Sequence, residues 1–135
     1  DMRKVLDVEM GQGTASEELR KAVRRTHDGQ YKTAFFTQDM IWEQYVWPTE
    51  LQKMTLGNGY DFIMKSQPEQ KLSPPLSPQK NVFLNKTGST NGFGGYIAIL
   101  PGENIGIVVL ANKNYPNEAR VKAVYSLIES LNSKP

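Results

Sequence analysis

Lys86-Thr87-Gly88-Ser89-Thr90-Asn91-Gly92-Phe93-Gly94 decides how this chain is read. The run has the form of the exposed end of a β-strand: an ammonium, a hydroxyl, then a glycine that opens room beside the backbone. A strand of that composition can lie against an extended, amide-like molecule and pair with it through the main chain. The Lys charge and the Thr and Ser hydroxyls then stand ready to hold a negative group. Asn91-Gly92 suits a turn, because both residues tolerate positive φ, and Gly92 and Gly94 let the chain reverse tightly.

Working outward, Val82-Phe83-Leu84 leads into this run. Tyr96-Ile97-Ala98-Ile99-Leu100 follows it, then a Pro101-Gly102-Glu103-Asn104 turn, then Ile105-Gly106-Ile107-Val108-Val109-Leu110-Ala111. Apolar, β-rich runs parted by a Pro-Gly turn predict a three-strand antiparallel meander. A helix is predicted next, with Val121, Val124, Tyr125, Ile128 and Leu131 recurring on one face. Asn117 suits its N-cap and Glu118 its first turn. The fold class expected is α+β, an antiparallel sheet with helices packed on it, divided into a helical and mixed segment (1–80) and the meander with its helix (81–135).

The first eighty residues read less sharply. Met2, Val5, Leu6 and Met10 fit a helix face that Gly11-Gln12-Gly13 breaks. Thr14 and Glu17 have the spacing of a capping box for a second helix to about Thr26, with Leu19, Ala22 and Val23 as its apolar stripe. Arg20, Lys21, Arg24 and Arg25 are the densest basic cluster, but Glu17 and Glu18 precede Lys21 at helical spacing, as on a solvated face. His27 has no second ligand nearby and reads as capping or decorating that helix's end. Residues 40–47 read as a strand, 49–56 as a short helix, 61–64 as a short strand, and the stretch around Pro74, Pro75 and Pro78 as a loop.

Composition narrows the function classes. At 135 residues the chain can bury one modest core. No apolar run approaches membrane-spanning length. The absence of Cys excludes disulfides and thiolate chemistry, and a net charge of +2 gives nucleic-acid binding little support.

The quoted run, with Leu110-Ala111-Asn112-Lys113-Asn114-Tyr115-Pro116-Asn117 after it and Arg120-Val121 beyond, resembles the C-terminal part of a class C serine β-lactamase. Tyr31, Trp42-Glu43 and Trp47-Pro48 fall in that family's order upstream. Asp39-Met40-Ile41 stands where the family usually carries Gly-x-Gly. The resemblance implies the serine β-lactamase/DD-peptidase fold, hydrolysis of β-lactams through a serine acyl-enzyme, a periplasmic location, and no metal or organic cofactor. Within it Lys86 supplies positive potential, and Thr87 contacts the substrate carboxylate. Ser89 gives its backbone N–H to the oxyanion hole and its C=O to the substrate's amide, and Gly88 keeps the strand face clear. Asn91 and Asn114 are further binding candidates. Asn117 and Arg120 would help hold the carboxylate, although from the residues alone Asn117 is equally an N-cap and Arg120 a surface charge.

That chemistry needs a nucleophilic Ser with Lys one turn later, and a Tyr-x-Asn, both ahead of the K-T-G in the family. Ser77-Pro78-Gln79-Lys80 matches the first only in a Pro-rich stretch with no room for a helix, and Tyr115-Pro116-Asn117 comes too late. The chain is therefore expected to be part of a larger enzyme, inactive alone, whose partners are a β-lactam and the missing N-terminal part. A DD-peptidase or esterase of the same fold is the alternative, and a binding module without a nucleophile is another.

Overall fold

The computed structural model describes residues 1–133. Its elements in chain order are α1 (Met2–Glu9), α2 (Glu17–Thr26), β1 (Gly29–Lys32), β2 (Thr37–Gln38), β3 (Glu43–Val46), α3 (Leu51–Gly57), α4 (Tyr60–Ile63), β4 (Gln70–Leu76), β5 (Val82–Thr90), β6 (Phe93–Leu100), β7 (Ile105–Ala111) and α5 (Asn117–Asn132). All seven strands join one antiparallel sheet in the order β4-β1-β2-β3-β5-β6-β7. The α+β architecture and the meander read from the sequence are present.

The sheet is covered on both faces around its centre, which explains why the start of β5, most of β6 and β7 read as nearly unbroken apolar runs. Alternation along β5 and β6 sends Phe83, Tyr96, Ala98 and Leu100 to one side, where Val121, Val124 and Ile128 of α5 and Met54 of α3 close over them. Val82, Leu84 and Ile99 go to the other side, against Leu6 of α1 and Trp42. Among the described residues no helix is long and apolar enough to cross a membrane.

Several local expectations change. Residues 61–64 are not a strand: α4 forms there, and Phe62 packs edge-on against Phe35 and Phe36 at centroid distances of 4.9 and 5.7 Å. The proline stretch is not all loop, since Pro74 and Pro75 lie in β4, in the irregularity between its Lys71 and Leu76 pairings with β1, where the ladder is interrupted and the missing N–H groups are tolerated. The strand expected over 40–47 is only β3. Ser16, not Thr14, caps α2, its hydroxyl accepting from the Leu19 N–H at 3.2 Å. The stripe of α2 is not buried either: Leu19 and Ala22 are exposed. Arg20 instead turns back to bond the carbonyls of Gly11, Gly13 and Ala15, fixing the loop between the first two helices. His27 is the C-cap residue of α2, as read, and it also reaches across to α1. Its Nε2 lies 2.7 Å from the Glu9 carboxylate and both side chains are about nine-tenths buried, so the pair ties the end of α2 to the end of α1.

Asp39, at the β2–β3 corner, is 1% exposed, and neither carboxylate oxygen has a partner. Burial first, and then the negative Asp28 nearby, push its carboxyl up to about 8. Below about pH 4 the group is protonated in folded and unfolded chains alike. Between there and about 8 only the unfolded chain loses the proton, so stability falls as pH rises and levels off above. Asp39→Asn, which keeps the neutral shape, should remove that decline. We expect near-equal stability at pH 4 and a gain of more than about 1 kcal/mol at pH 9 in urea denaturation. A variant no more stable than the parent at pH 9 would show the carboxyl already ionised in the fold.

Candidate active site

β5 is paired on both sides only as far as Asn85. There Glu43, the first residue of β3, stands opposite it, and β3 ends. Residues 86–90 continue with β6 on one side and no strand among the described residues on the other. A two-residue turn closes the β5–β6 hairpin at the Thr90–Phe93 pair, and the positive φ falls on Gly92 (98°), as a type II turn requires. In such a ladder Thr90, Gly88 and Lys86 direct their N–H and C=O groups at β6. Thr87 and Ser89 direct theirs at the open edge.

Side chains around that edge divide by face. Lys86 is half exposed and donates to the Thr87 carbonyl at 3.2 Å and to Glu43 Oε1 at 3.5 Å. Glu43 is buried, which raises its carboxyl above the ordinary range against the lowering pull of Lys86. Tyr96, opposite Thr87, and Tyr45 are buried beside it, and their phenols are pushed upward, first by burial. They stay protonated at any physiological pH. Thr87 is half-buried, Ser89 exposed, and a Cβ at Gly88 would meet nothing within 4 Å. Asn91, in the turn, and Asn114, in the loop after β7, are exposed near the hairpin tip.

Asn117 and Arg120 lie beneath the strand. Asn117 is the first helical residue, not the N-cap; Pro116 precedes it without a side-chain cap. Its Nδ2 donates to the Asn58 carbonyl at 3.0 Å and its Oδ1 accepts from Arg120 at 2.5 Å. Arg120 is no surface charge: it is 3% exposed, and its guanidinium bonds the Gly88 and Gly95 carbonyls, the Ser89 hydroxyl and the Tyr115 carbonyl. Ser77 is exposed in irregular chain after β4, so Ser77 and Lys80 do not share a helix face. Reasoning from sequence passed over Glu43 as a site group. A charged residue two positions before Tyr45, and so on the same face of β3, was the signal, because a carboxylate at a core-facing position needs a partner.

Residues 1–131 match the family model described as Beta-lactamase. A beta-lactamase of Psychrobacter immobilis is 43% identical over 131 residues, which is 97% of this chain and 33% of that protein. The crystal structure of a beta-lactamase from Sulfitobacter sp. EE-36 is similar with a TM-score of 0.95 at 59% identity, over 98% of this chain and 36% of that one. A class C beta lactamase from Rhodobacter sphaeroides gives 0.93 at 54% identity, over 98% of this chain and 37% of its own. The chain thus spans about a third of the length of the relatives it matches.

The two turn-side glycines answer to different constraints. Gly88→Ala should leave the melting free energy within about 0.5 kcal/mol of the parent, since the added methyl meets open space. Gly92→Ala should cost about 1 kcal/mol or more, because its φ is closed to L side chains. Equal losses in thermal denaturation would contradict this division.

Proposed function

This chain belongs to the beta-lactamase family, and on that premise we propose that it forms the substrate-side wall of a class C β-lactamase active site. The open edge of β5 at residues 86–90 carries the reading. A β-lactam presents an amide-like carbonyl and a nearby carboxylate. Laid along this edge, it meets main-chain groups of Thr87 and Ser89, the Thr87 hydroxyl and the Lys86 ammonium. The nucleophilic Ser comes from the part of the enzyme outside these residues. Its oxygen attacks the lactam carbonyl, the C–N bond breaks, and the released nitrogen takes a proton. Water then cleaves the acyl-enzyme ester.

In this reading the Ser89 N–H is one of two donors to the oxyanion, where a fixed dipole acts on charge that develops only in the transition state. The Ser89 C=O receives the substrate's side-chain amide. Lys86 raises the local positive potential, which favours the deprotonated, basic form of a Tyr or Lys contributed by the rest of the enzyme. Glu43 restrains Lys86 at 3.5 Å without covering it. Thr87 holds the substrate carboxylate, and Asn91 and Asn114 border the edge at its tip. Among the described residues no group of His, Asp and Glu is gathered to hold a metal ion. Work on β-lactams would place the whole enzyme in the periplasm, as the family resemblance implies.

The test is hydrolysis of a chromogenic cephalosporin by the full-length protein that carries these residues. Lys86→Met should lower kcat/KM by about a hundredfold or more. Gly88→Val, which fills the open space above the edge, should raise KM with little change in melting temperature. Intact-mass detection of a covalent adduct with a slowly turned-over β-lactam should accompany hydrolysis. No adduct and no turnover in the parent protein would defeat the proposal, and release of D-alanine from a peptide without β-lactam turnover would move the reading to a peptidase.

A further inference from the structure

Arg120 is a buried cation held beneath the β5–β6 hairpin by both terminal nitrogens, its Nε alone lacking a partner. It lies in the first turn of α5, where the helix dipole is positive and a cation is disfavoured. It is buried, it has no carboxylate partner among the described residues, and a buried charge without strong partners is costly. Five oxygens compensate. Nη1 donates to the Gly88 carbonyl at 2.8 Å and to the Gly95 carbonyl at 2.7 Å. Nη2 donates to the Ser89 hydroxyl at 2.8 Å, the Tyr115 carbonyl at 3.0 Å and the Asn117 Oδ1 at 2.5 Å.

The placement is specific. Gly88 and Gly95 face each other across the β5–β6 ladder, so one nitrogen grips both strands where β5 has already lost β3. The guanidinium lies against Gly94, where a Cβ would come within 3.1 Å of Nη1 and 3.2 Å of Cζ. Asn117 holds Nη2 from one side while bonding the Asn58 carbonyl from the other, which anchors the assembly to the end of α3. Both terminal nitrogens are engaged by the protein's own oxygens.

We propose that Arg120 is a positioning residue: it fixes the height of Gly88 and Ser89 on the open edge, and so the place of the oxyanion donor, without gripping the substrate carboxylate. This rests on the function proposed above. A guanidinium that bound the carboxylate would present its terminal N–H groups to the cleft, whereas these are engaged by three main-chain carbonyls, the Ser89 hydroxyl and the Asn117 Oδ1. Gly94 is the matching position on β6, since an added methyl there would press on the guanidinium and push it from its place.

The test uses the full-length protein and two substrates, a cephalosporin and its methyl ester, which lacks the carboxylate charge. Rates are taken per titrated active site, so that any unfolded fraction drops out. Arg120→Ala should lower kcat by about a hundredfold on both substrates alike, as expected for a misplacement of about 1 Å. Arg120→Lys should rescue neither, since three donors on a flexible stem cannot reach five fixed oxygens. Gly94→Ala, with Arg120 intact, should reproduce the loss, and the double variant should be no worse than Arg120→Ala alone. Amide exchange at Gly95 should quicken at least tenfold in either single variant. A loss confined to the acid substrate, through KM, would overturn the inference and return Arg120 to direct carboxylate binding. Unchanged exchange at Gly95 would overturn it whatever the kinetics. A parent protein inactive on both substrates would strike the proposed function instead, leaving the exchange measurement to judge the clamp.

Discussion

The site depends on a mismatch of strand lengths: β5 runs nine residues and its neighbour β3 only four. The first half of β5 is paired on both sides and buried on both faces, so its position is over-determined. The second half inherits that position through a continuous backbone and through β6, yet keeps one edge unpaired. Unpaired main-chain groups next to a rigid ladder must find partners in solvent or in a ligand. At the outer rim of the sheet such an edge invites indiscriminate pairing, and β4 blunts it there with Pro74 and Pro75. The edge at residues 86–90 is different. It opens behind the end of β3, bounded by Glu43 on one side and the hairpin turn on the other, which limits what can align with it.

Two cations serve this edge, and their environments separate their work. Lys86 is half in solvent, has one carboxylate within 3.5 Å, and keeps donors free for an incoming group. Arg120 is sealed below, its terminal nitrogens spent on the protein's own oxygens. The contrast follows from chemistry. An ammonium is a compact, strongly hydrated charge that suits a wet rim, whereas the planar guanidinium can satisfy several carbonyls at once in a dry place. Exchanging the two residues would leave a hydrated charge buried and a five-donor fork with too few acceptors.

Much of the fold around the edge was legible because it rests on local signals. The Asn91-Gly92 turn, the Pro101-Gly102 turn and the alternation through Tyr96 and Ile99 each announce themselves within a few residues, and the meander follows from them. Resemblance added the family, and suggested the roles proposed above for residues 86–89. What was not legible depends on partners distant in sequence. Pro74 and Pro75 read as loop because nothing local reveals an edge strand pairing with β1. Phe62 helps form a helix where a strand was expected because Phe35 and Phe36 await its ring. Arg120 gave no sign of its burial and Glu43 only a faint one, since the Gly88 and Gly95 carbonyls that accept from Arg120, and the Lys86 ammonium that donates to Glu43, come from β5 and β6, more than twenty residues away in the chain.

The Asp39-Met40-Ile41 departure tests whether the site tolerates change nearby. Gly-x-Gly at a strand corner suggests a backbone that only glycine adopts, yet no residue from 39 to 41 has a positive φ here. The corner closes by other means: the Asp39 N–H bonds the Trp42 carbonyl at 2.8 Å, and the Gln38 amide bonds both the Asp39 and Trp42 carbonyls. Met40 and Ile41 take the exposed tip, at 60% and 48%. The cost falls on the Asp39 carboxyl, kept dry and unpartnered. It does not reach the edge, because β3 still registers Glu43 against Asn85 and ends there. A strand that only has to stop at the right residue can accept a costly corner one turn earlier, and the open edge beyond it is unchanged.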